Sequence, residues 1–176
     1  EASLVSRLLL PGFAFAGLLL LLVCSSQAAD ETADVDVLTI ADSTGDWGYP
    51  SPYAHYSRGP GYIRMSLIFD TMVWKNESGY VPALAESWEY IADEKAYLFH
   101  LRDGVTWNDG QPFSAEDVAF TFQYIKDHPY TWVDSSTVKD AVAVDDKTVK
   151  VTLEKDYAPF LDQVAGTLPI LPEHVY

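Results

Sequence analysis

Apolar and polar residues alternate most cleanly over residues 148–153, where Val149, Val151 and Leu153 fall on one side, the two-residue period of a half-buried strand. Residues 138–144 read as its partner, and Asp145-Asp146-Lys147 between them reads as a hairpin turn. Residues 88–91 and 97–101 flank Ala92-Asp93-Glu94-Lys95 in the same way and predict another hairpin. Residues 105–107 predict a short strand ended by Asn108-Asp109-Gly110, whose residue types tolerate the positive φ of a tight turn. A helical period follows. Val118, Phe122 and Ile125 make its apolar stripe, Ser114 is placed as N-cap, and Asp117 completes a capping box. Residues 63–71 predict a helix with Ile63, Leu67 and Ile68 on one face, and residues 72–75 lead into a turn at Asn76-Glu77-Ser78-Gly79. Residues 159–165 predict a short helix stopped by Gly166. Residues 35–41, rich in β-branched side chains, predict the first strand. Hairpin strands with helices between them predict a mixed α/β (α+β) fold rather than a sandwich.

Two stretches break these periods. Residues 13–23 are a compact apolar run with Arg7 before it and the small residues Ser26 and Ala28 after it, which predicts a secretory signal cleaved after Ala28. As a helix the run spans about 16 Å against roughly 30 Å of hydrocarbon, too short for a membrane anchor. Cys24 ends the run and is the only cysteine. It is a candidate for lipidation, although Val23 stands where a lipoprotein signal has Gly, Ala or Ser. Residues 42–61 hold four Gly, three Pro, three Tyr and Trp47, too irregular for an element and too aromatic for an ordinary solvated loop. Trp47, Tyr49, Tyr53, Tyr56 and Tyr62 either wall a ligand pocket or pack the loop on its own core. The chain opens at Glu1 and closes just after Leu171-Pro172-Glu173-His174, so both ends are expected to continue in a longer protein.

Composition narrows the function classes. The 176 residues carry 26 acidic and 11 basic side chains and a net charge of −15, unchanged by removal of the leader, which carries one Glu and one Arg. That balance excludes a nucleic-acid partner, which needs clustered Lys and Arg. With 48% hydrophobic residues the chain folds rather than staying disordered. No Gly-x-Ser-x-Gly elbow, phosphate-cradling glycine loop or metal-spaced histidines occur among His55, His100, His128 and His174. No enzyme, cofactor or metal site is therefore expected. Asn76-Glu77-Ser78 is a glycosylation sequon, and Asp93-Glu94 and Asp145-Asp146 are expected to serve their turns.

Leu84-Ala85-Glu86-Ser87-Trp88, followed by Leu101-Arg102-Asp103-Gly104-Val105-Thr106-Trp107-Asn108-Asp109-Gly110-Gln111-Pro112-Phe113-Ser114-Ala115-Glu116-Asp117-Val118, resembles the peptide/nickel-type, family 5 solute-binding proteins of ABC transporters. Their signature has the same order. The resemblance implies a type II periplasmic-binding-protein fold, in which two lobes close on a solute by hinge motion and deliver it to permease subunits. It divides the chain into a leader (1–28), the first strand and cleft-lining segment of lobe one (29–68), an extra subdomain (69–164) and a return into lobe one (165–176), with the second lobe missing. Trp88, Trp107, Asp109, Gly110, Pro112, Ser114 and Asp117 are expected to be structural members of the signature. Trp47, Tyr49, Tyr53 and Trp132 are implied as ligand-lining. The family's ligands include peptides and nickel chelates. Residues 156–176 hold no Lys or Arg to grip a chelate's carboxylates, which favours peptide, while Arg58 and Arg64 remain available for a ligand carboxylate. A periplasmic or cell-surface location is implied, with no membrane span in the mature chain. A sensing or adhesion module sharing the fold is the alternative from another class.

Overall fold

The computed structural model describes residues 51–53 and 65–176; the leader, the expected strand at 35–41, Ile63 and most of the aromatic segment lie outside them. Six strands follow in order: β1 Val73–Asn76, β2 Gly79–Pro82, β3 Ala85–Ile91, β4 Ala96–Leu101, β5 Val138–Asp145 and β6 Thr148–Leu153. The helix α1, Ala115–Asp127, lies between β4 and β5. Strands β1 and β2 form a separate hairpin, and the other four make an antiparallel sheet in the order β3-β4-β6-β5.

Alternation builds the sheet. Trp88 lies opposite Phe99, Phe99 opposite Val149, and Val149 opposite Ala143, so one row of inward residues crosses all four strands. On β6 the odd residues Val149, Val151 and Leu153 are buried while Thr148, Lys150 and Thr152 are half-exposed. Against this face lie Val118, Phe122 and Ile125, each fully buried. Both expected hairpins are present. Lys95 closes the first in the left-handed region, φ 50°, and in the second the Lys147 N–H donates to Asp145 Oδ1 at 2.8 Å, a side chain standing in for a turn carbonyl.

Three elements differ from the sequence reading. Among the described residues the helix expected over 63–71 is only a turn: the N–H groups of Ile68 and Phe69 return to the Met65 carbonyl, and Leu67 and Ile68 are 62% and 45% exposed. Beyond it the backbone is drawn into long-range pairing. The Asp70 carbonyl accepts from the Ile170 N–H and the Thr71 carbonyl from the Leu84 N–H. The strand expected at 105–107 shrinks to one bridge, Thr106 to Pro112, because the chain turns back at once through Trp107 N–H to Gln111 O and Gly110 N–H to Trp107 O. Gly110, at φ 87°, supplies the left-handed turn residue. The helix expected at 159–165 is a single π turn over Leu161–Ala165. Its wide ring closes with the Gly166 N–H on the Leu161 carbonyl at 2.9 Å. A Cβ on Gly166 would stand 2.9 Å from that carbonyl oxygen and 3.3 Å from that of Val73, so glycine alone fits.

Candidate ligand-binding site

Two of the expected structural residues, Trp107 and Ser114, meet at the buried carboxylate of a third, Asp117. Asp117, 5% exposed, accepts at Oδ2 from the Ser114 N–H (3.0 Å) and the Trp107 indole N–H (3.2 Å), and at Oδ1 from the Glu173 N–H (2.9 Å). The Ser114 capping box is thus formed as its spacing predicts. One turn further on, Thr121 Oγ1 donates to the Asp117 carbonyl and accepts from the Leu171 N–H at 2.9 Å. Helix α1 thereby fastens the tight turn before it and the returning segment after the sheet. Trp107 also sets its ring edge-on to Phe113 at 5.9 Å. At the turn itself Asp109 accepts from the Gln111 N–H at 3.0 Å and contacts His174 Nε2 at 2.6 Å; these contacts hold its carboxyl below the usual carboxylate range. Trp88 is half-buried against the core, and exposed Pro112 pairs with Thr106 in the isolated antiparallel bridge.

A different arrangement surrounds Trp132. Helix α1 ends at Asp127 with His128 as its C-cap, and the next turn buries Tyr130 and Val133, with the Val133 N–H donating to the Tyr130 carbonyl at 3.0 Å. Those two anchors leave Trp132 outside, 45% exposed. It borders an open cleft of about 450 Å³ together with Asp134, Tyr157, Asp162, Gln163 and Thr167. The Asp134 side chain accepts from the Ser136 hydroxyl at 2.7 Å and N–H at 3.0 Å, which lowers its carboxyl from the ordinary range, aided by Lys155. Tyr157 donates to Gln163 Oε1. Lys75 Nζ lies 2.9 Å from Asp162 Oδ1, an ion pair with one member in the lining of the cleft. The lining offers one broad aromatic face, amide and hydroxyl groups, and carboxylates.

Tyr53 is elsewhere. Its ring packs edge-on against Tyr124 and Tyr130 at 5.4 and 5.6 Å, its hydroxyl is buried without a hydrogen-bond partner among the described residues, and burial pushes its phenol well above the ordinary range. It does not border the Trp132 cleft. Trp47, Tyr49, Arg58, Arg64, His55 and Cys24 lie outside the described residues. Among those described, no three His, Cys, Asp or Glu side chains converge to hold a metal, and no helix is long and apolar enough to cross a membrane. His128 stacks on Tyr124 at 4.1 Å, and His100 lies opposite Thr148 and Ser87 on the sheet. Sequence reading missed Tyr157, Asp162, Gln163 and Thr167 as cleft residues. They come from a turn whose geometry only the fold reveals.

Residues 79–175 match the model of the bacterial extracellular solute-binding proteins, family 5. A probable deoxycholate-binding periplasmic protein of Escherichia coli is 35% identical over 130 residues, 61% of this chain and 24% of that protein. The nickel-binding periplasmic protein of Escherichia coli is 31% identical over 108 residues, 59% of this chain and 21% of that protein. Among solved structures, the ABC transporter-associated periplasmic binding protein DppA from Helicobacter pylori, in complex with the peptide STSA, superposes with a TM-score of 0.62 at 31% identity, covering 73% of this chain and 30% of that one. The chain therefore spans less than a third of each of these proteins.

Proposed function

The chain belongs to the bacterial extracellular solute-binding proteins of family 5, and from that premise we propose that the whole protein captures oligopeptides or dipeptides outside the cytoplasmic membrane and delivers them to the permease of an ABC transporter. In this reading residues 69–164 are the extra subdomain of lobe one, residues 165–176 return into that lobe, and a second lobe closes over the solute. The periplasm is its place of action, as the names of its relatives support, with association at the cell surface as the alternative.

The observation that carries the choice of peptide is the lining of the Trp132 cleft. Amide and hydroxyl groups suit a peptide backbone, and Trp132 offers a flat face for a side chain. Among the described residues no Lys or Arg borders the cleft, and Lys75 beside it is paired with Asp162, so the carboxylates of an anionic metal chelate find no cation in its lining. The second reading is a nickel chelate, favoured by the nickel-binding relative and by the exposed aromatic at Trp132. Binding and hinge closure need no reacting group, which agrees with a family of substrate-binding proteins.

Native mass spectrometry with metal analysis of the full-length mature protein, purified without added ligand, separates the two. A ladder of added peptide masses is the expected result. Stoichiometric nickel with a small chelator would overturn the peptide reading and establish the second.

A further inference from the structure

Trp74 is 56% exposed at the start of the β1–β2 hairpin, yet it is held in place. Its indole N–H donates to Asp70 Oδ1 at 2.7 Å, and the same oxygen accepts the Thr71 N–H at 2.8 Å. Asp70 is fixed in turn by its own carbonyl, which accepts from the Ile170 N–H at 3.0 Å. The polar atom of the ring is thus satisfied by the protein, while much of its apolar surface faces outward. A large ordered aromatic surface left in water is unfavourable by itself and favourable as a preorganised contact.

Its surroundings connect it to Trp132. Trp74 borders a recess of about 280 Å³ with Lys75, Tyr130 and Thr167. Thr167 also borders the Trp132 cleft, the Lys75–Asp162 pair joins a residue of the recess to one of the cleft, and Tyr130 and Trp132 belong to one turn. The two hollows therefore adjoin, with an exposed tryptophan at each.

We propose that Trp74 is a second solute-contacting residue, and that Trp74 and Trp132 together receive an apolar or aromatic side chain of a bound peptide. The proposal rests on the peptide-receptor reading and adds to it a residue and a side-chain class. Apolar selection follows from the aromatic surfaces, and Lys75, which borders the recess, is engaged by Asp162 rather than open to an acidic side chain.

Hydroxyl-radical footprinting of the full-length protein, with and without a pancreatic digest of casein, tests this. Both tryptophans are expected to oxidise readily alone and to be protected together by the digest. Trp74→Ala is expected to reduce peptide capture from the digest about tenfold, as loss of an aromatic anchor does, with the captured peptides no longer enriched in apolar side chains, and Trp74→Phe to restore most of it. Trp74 protected without digest would overturn the proposal, because the rest of the chain then covers it. Protection of Trp132 alone would overturn the role of Trp74 and leave the peptide reading standing. Protection of neither would overturn both.

Discussion

Phe160→Ala is expected to lower the stability of the full-length protein by about 3 to 5 kcal/mol. Phe160 is fully buried where three parts of the fold meet. Its ring stacks on Tyr97 of β4 at 4.8 Å and lies 6.4 Å from Phe99 of β4 and from Phe122 of α1. Truncation removes the transfer free energy of the ring and leaves a cavity whose walls belong to a sheet and a helix held by their own hydrogen bonds, so collapse is limited. A lower urea midpoint at unchanged m-value measures the loss. A decrease below about 1 kcal/mol would mean that Phe160 does not join helix and sheet as described.

The second large effect is expected at Asp117. Asp117→Ala removes the carboxylate that caps α1 and strands the Trp107 indole N–H and the Glu173 N–H. A lost cap costs about 1 kcal/mol and each stranded, partly buried donor up to about 1 kcal/mol, giving about 2 to 3 kcal/mol in all. Ser114→Ala touches only the cap and should cost about 1 kcal/mol by the same urea measurement. Equal losses for the two variants would show that Asp117 serves the helix cap alone and that the link to the returning segment carries no stability.

Asp117 also marks how far the sequence could be read. Its spacing from Ser114 is local, so the capping box was legible; its bond to Glu173, 56 residues further on, depends on the fold and leaves no trace in spacing. The β5–β6 hairpin was legible because one face of β6 is buried and the other wet, which writes a two-residue period into Val149, Val151 and Leu153. Of the β1–β2 hairpin only the turn is legible, since Trp74, Lys75 and Tyr80 all face solvent and carry no such period. Over 63–71 a helical stripe was misleading: bonds from Leu84 and Ile170 to Thr71 and Asp70 outweigh local propensity. At the candidate site, Trp132 was reached through the family resemblance. Trp74, proposed as its companion, leaves no such signal, because its exposure beside the adjoining recess becomes visible only in the fold.

The central claim is that this chain forms part of a receptor whose solute is enclosed only when a second lobe closes on the first. Calorimetric titration of residues 29–176 and of the full-length protein with the same co-purified peptide tests it most directly. Enclosed sites bury about 70 to 90% of a small ligand's surface, so the full-length protein is expected to bind at micromolar concentration or tighter and residues 29–176 to give no measurable heat. Equal affinity of the two would contradict the two-lobe account.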